Sequence, residues 1–469
     1  MQHLRHRGFL KAVSMLLVIA LASACSSTRS EFESDLALPG SFSHNGSQIQ
    51  GSDWWTAFAD PVLNKRVEKA LAANRSLEAT WQSVEEARAI VTRSRANLYP
   101  NLDASVSATE VKPEDGPARE SYQATLEAAY EVDIWGRVRS SARAEQARLT
   151  ASYYDYQSAA LSLAAEVATL HFQLVEQHLQ GDLIASQVEA NRKVLESLRN
   201  RFNSGLIRSS DILRQEQLVE NSLEQAIVIE AQIAVYEHAM SILLGETPQQ
   251  SSNTDRNSSA HLPAVPDLPA TGVPSELVTK RPDVRAVFQV VAAANSELAS
   301  AIADRFPTLS IGASISSVTT NWSDIFETWI RELAAEVLAP LFDGGNRRAI
   351  VKQSEATVRR LLAEYEQRVL VALQEVEDAL VLETAQSKRI TSKSRQVELA
   401  QNAYQQLQSE YTNGVSDYLN LVTALIDLQS LQRDLVEAQR IKIEYRIALY
   451  RALAGPVSTD LVNSLESAR

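Results

Sequence analysis

One cysteine in 469 residues, Cys25, leaves no internal disulfide and no thiolate metal site open to this chain. Glycine and proline are scarce, at 15 and 14 residues, so few positions interrupt a helix. Aromatic residues make up only 6%, which excludes a large aromatic-filled core. Net positive charge is missing too. The formal charge is −13, and nucleic-acid phosphates require a basic face; the ordinary consequence of such a charge is a solvated surface. The seven histidines form no metal-ligand spacing, and His171 stands alone in a helical stretch, where a structural role outweighs a ligand role. There is no Gly-x-Ser-x-Gly elbow, no phosphate loop and no His/Glu metal pair, and paired carboxylates such as Glu85-Glu86 lie on helix faces. No catalytic residue, metal ligand or cofactor is therefore expected. Past the N-terminus no run approaches the 18 or so apolar residues of a membrane helix.

What the chain does carry begins with an address. Arg5, Arg7 and Lys11 precede an apolar run from Ala12 to Ala22, a length that suits a signal core and falls short of a bilayer. Residues 1–24 read as a signal peptide ending at Leu21-Ala22-Ser23-Ala24-Cys25. Small residues before a lone cysteine resemble the lipobox of bacterial lipoproteins, although Ala22 stands where leucine is usual and Leu21 lies one place further back. The resemblance implies a covalent lipid on Cys25, and Ser26 in place of aspartate implies release to the outer membrane of a Gram-negative bacterium. An ordinary cleaved signal with a chance cysteine is the alternative. A chain that then crosses a membrane without a long apolar helix must do so as a barrel.

The remainder is written twice. Leu98-Tyr99-Pro100-Asn101-Leu102 returns as Arg305-Phe306-Pro307-Thr308-Leu309, and Asn203-Ser204-Gly205-Leu206 returns as Thr412-Asn413-Gly414-Val415. Asp133-Ile134-Trp135-Gly136-Arg137 returns loosely as Phe342-Asp343-Gly344-Gly345-Asn346. The chain divides into a lipid-anchored segment 25–60, a first repeat 61–245, a Pro/Ser-rich linker 246–275, a second repeat 276–455 and a tail 456–469. Each repeat reads as helix, two strands, long helix, tight turn, helix.

Leu149, Tyr153, Tyr156, Ala160, Leu163, Val167, Leu170 and Leu174 alternate by four and three, and Val358, Leu362, Tyr365, Val369, Ala372, Val376 and Ala379 repeat them 209 residues on. Glu383 breaks the copy where Leu174 predicts an apolar residue. Such a seam needs a facing helix. The first long helix spans about Arg139 to Phe202, roughly 95 Å at 1.5 Å per residue. It folds back at Gly205 as the second does at Gly414, both suited to a left-handed cap. The helices alone fit a simple coiled-coil protein. The strands argue against that. Leu102, Ala104, Val106 and Ala108, then Tyr122 to Val132, then Leu309, Ile311, Ala313 and Ile315 alternate apolar with polar, and a less regular strand runs about Ile330 to Leu341. Trp322 and Trp329 flank the second loop as an aromatic girdle would. Four such strands leave open edges, which hydrocarbon does not tolerate, so the barrel must be shared between chains. A small soluble sheet capping a helical domain is the other reading.

Taken in order, Trp54-Trp55 with Phe58 and Asp60-Pro61-Val62-Leu63, Leu98-Tyr99-Pro100, Asp133-Ile134-Trp135-Gly136-Arg137, Lys280-Arg281-Pro282-Asp283-Val284-Arg285-Ala286, Pro340-Leu341-Phe342-Asp343-Gly344-Gly345 and Tyr411-Thr412-Asn413-Gly414-Val415 make the chain similar to the TolC-like outer-membrane efflux family, in its lipoprotein branch. The resemblance covers Trp54 to Gly455. It implies a homotrimer, mainly α, whose long hairpins form a periplasmic α-barrel and whose four strands per chain contribute to a shared twelve-stranded β-barrel. It also implies a periplasmic adaptor and an inner-membrane pump as partners, export of small toxic compounds, and no catalysis. Relatives often carry two gate carboxylates just past the second hairpin turn. Here those places hold Asn420 and Thr423, with Asp417 one turn earlier, Leu419 at an apolar constriction, and Asp211 and Arg214 at the matching places of the first repeat. The resemblance thus implies a gate less acidic than usual; packing of the hairpin is the plainer role for these residues. A lipid-anchored periplasmic coiled-coil scaffold without a pore is the alternative for the whole chain.

Overall fold

A computed structural model describes residues 36–47, 51–248 and 261–457. The expected signal peptide, Cys25 and most of the tail lie outside them, as does part of the linker. Eight α-helices and four strands follow in the order α1 (Pro61–Ala73), α2 (Arg75–Ala96), β1 (Asn101–Val111), β2 (Arg119–Val132), α3 (Arg137–Asn203), α4 (Ser209–Leu243), α5 (Pro274–Lys280), α6 (Pro282–Ala303), β3 (Thr308–Thr319), β4 (Ile330–Leu338), α7 (Asn346–Thr412) and α8 (Tyr418–Leu453). The duplication is visible element by element. α3 and α7 are both 67 residues long and start 209 residues apart. Two compact units cut across the repeats, one built chiefly from Glu86–Thr150 and Val287–Glu366, the other from Leu38–Glu85, Ala151–Ala286 and Gln367 onward.

The first unit holds one antiparallel sheet in the order β1-β2-β3-β4. Its register puts Leu102 opposite Ala128, Val106 opposite Ala124, Leu126 opposite Ile315 and Ala313 opposite Leu333. Because side chains alternate along a strand, these residues share one apolar face, and Asp103, Ser105, Glu127, Ser314 and Glu336 share the other. Every residue of β1 and β4 is exposed. β4 ends at Leu338, short of the expected Leu341, where Pro340 would remove a ladder donor. The strand-to-helix corners explain the paired motifs. Asp133 accepts from the Val138 and Arg139 amides at 3.1 and 2.9 Å, and Asp343 accepts from those of Gly345 and Arg347 at 2.9 and 3.1 Å. These carboxylates satisfy helix-start donors that no carbonyl can reach. The Trp135 ring stacks on Phe306 at 4.8 Å and its indole N–H donates to the Pro307 carbonyl at 2.8 Å.

In the second unit the long-helix seams are core. Tyr156, Ala160 and Val167 are fully buried in α3, as are Ala372 and Val376 in α7. The seam of α7 continues through Glu383 and Gln386, both buried and both partnered: Glu383 with Arg446, and Gln386 with the Ala438 carbonyl at 2.7 Å. His171 is fully buried, its Nε2 2.9 Å from Asp60 Oδ2 and its Nδ1 2.8 Å from Arg66. Since Arg66 can only donate, Nδ1 accepts and the proton sits on Nε2, facing Asp60. Burial works to raise the Asp60 carboxyl, but the His171 hydrogen bond and the Leu63 and Val62 amides outweigh it and hold it well below the usual carboxylate range. Arg281, likewise buried, pairs with Asp283 and Glu375, and Arg368 completes the cluster on Asp283. Gly245, just past the end of α4, has φ 74° and lies so close to Ala73 that an added Cβ would lie 2.2 Å from its carbonyl oxygen.

One expectation is corrected. Among the described residues three helices, α3, α4 and α6, are long and apolar enough by length and composition to cross a membrane. No single unbroken run revealed this, because their apolar residues are interleaved with Gln, Ser and Glu.

Candidate functional site

The turn ends of the two hairpins gather the residues singled out above. Gly205 and Gly414 take φ of 72° and 75°, the left-handed conformation that lets each long helix terminate. In the first turn the Gly205 amide donates to Phe202 and the Leu206 amide to Arg201; in the second, Gly414 donates to Tyr411 and Val415 to Glu410. Leu206 and Val415, just beyond these glycines, are 67% and 77% exposed.

Below the turns the hairpins are joined. Leu198 of α3 with Tyr418 and Val422 of α8 form a buried cluster, against which Ile207, Ile212, Leu218 and Tyr411 pack. A polar ladder extends it. Asn191 is fully buried at a seam position. Its side chain donates to Ser222 at 3.0 Å and accepts from Gln429 at 3.1 Å, while its carbonyl accepts from Gln215 at 2.8 Å. The Tyr418 hydroxyl donates to the Gln215 amide oxygen. Three helices thus meet through groups that would each be costly to leave unpaired. Burial pushes the Tyr418 hydroxyl up, and the Asp211 charge adds to that while Arg214 opposes it. The Arg201 guanidinium lies over the Tyr411 ring, 4.5 Å from its centre.

The gate candidates fall into two groups. Asp417 is the N-cap of α8, its carboxylate accepting from the Asn420 amide at 3.0 Å. Leu419, Asn420 and Thr423 lie on the exposed face of the first two turns, opposite buried Tyr418, Leu421, Val422 and Leu425. Leu419 is 49% exposed, the Asn420 side-chain amide donates to the Ser416 hydroxyl at 3.4 Å, and Thr423 donates to its own helix at the Leu419 carbonyl, 2.8 Å away. Within the chain these three are exposed, while their neighbours Tyr418, Leu421 and Val422 supply the buried face. Asp211 is half-buried and Arg214 exposed on α4. Sequence reading missed Ile426 and Asp427, which continue the exposed face. The signal was present: Asp427 follows Thr423 by four and Asn420 by seven, a helical repeat. It also missed Asn191, Gln215 and Gln429, whose partners lie on other helices. Among the described residues no group of three His, Cys, Asp or Glu side chains could hold a metal.

The family described as outer membrane efflux protein matches residues 67–246 and 273–455. The chain is 29% identical over 412 residues to the pyoverdine export outer membrane protein OpmQ of Pseudomonas aeruginosa, covering 84% of this chain and 86% of that protein. It is 27% identical over 372 residues to the cation efflux system protein CusC of Escherichia coli, covering 76% and 78%. Among solved structures, the outer-membrane channel OprN superposes with a TM-score of 0.81 at 27% identity, covering 90% of this chain and 99% of that one. The open state of the Neisseria gonorrhoeae MtrE outer membrane channel superposes with a TM-score of 0.81 at 26% identity, covering 92% and 99%.

Proposed function

The chain belongs to the outer membrane efflux protein family, and from that premise we propose that it is the channel subunit of a tripartite efflux system, a homotrimer exporting small toxic compounds from periplasm to exterior. The observation that carries this reading is the sheet. It has one apolar and one polar face and two unpaired edge strands, exposed along their whole length. Such a sheet fits a barrel wall with lipid outside and water inside, closed by further copies. A periplasmic scaffold has no use for it.

In this proposal Cys25 carries the lipid, and the hairpin turns with exposed Leu206 and Val415 meet the adaptor, behind which the pump supplies the energy. Leu419, Asn420 and Thr423 line the constriction, so the gate is apolar and hydrogen-bonding more than acidic. Asp417 shapes the constriction by capping α8, and Asp211 and Arg214 set the charge around Tyr418 behind it. The test is the native mass of the mature protein extracted from outer membranes in mild detergent, followed by conductance in planar bilayers. A heat-sensitive species of three chains with a closed-state conductance raised by Leu419→Ala or Asn420→Ala is expected. A monomer in the soluble or inner-membrane fraction would overturn the channel reading, and an unchanged conductance would overturn the gate.

A further inference from the structure

The two free edges of the sheet constrain how they can meet. β1 and β4 occupy opposite ends of an all-antiparallel four-stranded order, so they run in opposite directions. Rotating a second copy about a ring axis brings β4 of one beside β1 of the next as an antiparallel pair. β4 offers nine residues, Ile330–Leu338, and β1 eleven, Asn101–Val111. Two requirements narrow the register. Every backbone group of β4 needs a partner where no water reaches. The apolar face must also continue across the joint, and a slip of one residue would turn it inward.

Only two registers meet both. One sets Ile330 opposite the partner subunit's Val111, and the other sets it two residues further along, opposite the partner subunit's Thr109. The charges separate them. The second places Glu336 directly opposite the partner subunit's Asp103, a destabilising like-charge pair, and leaves Arg331 facing an alanine. The first places Glu336 opposite a serine and Arg331 opposite the partner subunit's Glu110. Within the chain both members of that pair lack a match. Glu110 faces Glu120 directly across the β1–β2 ladder, and Glu120 is already taken by the Tyr122 hydroxyl at 2.9 Å. Arg331 faces Ile315 on the apolar side of the sheet and is exposed.

We propose that the ring closes in the first register, with Arg331 paired to the partner subunit's Glu110 on the outer face of the barrel at each of its joints. The proposal rests on the channel reading and adds to it the alignment of copies and the ion pair that selects it.

Cysteine pairs in the full-length protein test it. Ser107→Cys with Ala334→Cys sits directly opposite across the joint in the first register; Ser105→Cys with Ala334→Cys does so in the second. After mild oxidation in outer membranes, the first pair is expected to yield a covalent three-chain species on non-reducing gels, and the second to remain as single chains. Arg331→Glu is expected to lower the temperature at which the trimer dissociates, and adding Glu110→Arg to restore it. A parent protein that runs as three chains, yet is linked through position 105 or through neither pair, overturns the register and leaves the channel reading standing. Failure of the charge exchange to restore heat resistance overturns the ion pair. A parent protein that never assembles overturns both.

Discussion

Glu383 accepts two hydrogen bonds from Arg446, 63 residues further along the chain, inside the packed seam between α7 and α8. The same guanidinium donates to the carbonyls of Pro266 and Asp267 in the linker, the latter at 2.8 Å. A charge that interrupts the apolar repeat therefore serves to bind the linker to the hairpin. Removing one partner leaves a buried charge unmatched, so Arg446→Ala is expected to cost about 3–5 kcal/mol, whereas the double replacement Glu383→Leu with Arg446→Met is expected to cost less. Urea unfolding measures the cost. Protease cleavage within 261–271 reports the linker, and it is expected to rise in both variants, since both lose the donor to Pro266 and Asp267.

The Asp60 carboxyl is held below its usual range, so it contributes stability above its unfolded pKa, roughly 4, and loses that contribution as pH falls toward its folded value. Asp60→Asn is expected to lower stability at neutral pH. The gap from the parent should narrow steadily below about pH 4. Denaturation followed from pH 7 to pH 3 checks the sign; a gap that widens with acid would contradict it.

Tyr418→Phe removes the donor to Gln215 and leaves a buried amide oxygen without its partner, at about 1–3 kcal/mol. Because this bond ties the start of α8 to α4 at the hairpin ends, the expected readout is more than stability. Closed-state conductance and sensitivity to large antibiotics should both rise. Normal conductance in a destabilised variant would show the bond to be packing alone.

Asn420, Thr423 and Asp427 share the exposed face of α8. Asn420→Asp or Thr423→Asp is expected to raise cation selectivity, and Asp427→Asn to lower it, each read as a shifted reversal potential in a salt gradient. If Asp427→Asn leaves that potential where it was, the carboxylate does not face the conduction path.

Much of this protein was legible as period. A four-three repeat marked Tyr156, Ala160 and Val167, and again Ala372 and Val376, as core, because a helix turns every 3.6 residues and buries one stripe. A period of two placed Leu102 and Leu126 on one face of a sheet. Glycines at 205 and 414 announced the turns because few other residues accept a positive φ. All of these are local rules, carried by neighbours along the chain.

Tertiary structure alone decided the rest, and each case involves partners far apart in sequence. Glu383 looked like a break until Arg446 stood beside it. His171 looked isolated until Asp60 and Arg66, more than 100 residues away, met its two nitrogens. Asn191 falls on the continued four-three seam, but Gln215 and Gln429 carried no signal, since a polar residue on a helix looks solvent-facing until other helices cover it. The sequence by itself thus determined which elements form and which faces they bury. Only the assembled chain decided which buried polar groups satisfy one another, because that depends on contacts that periodicity does not encode.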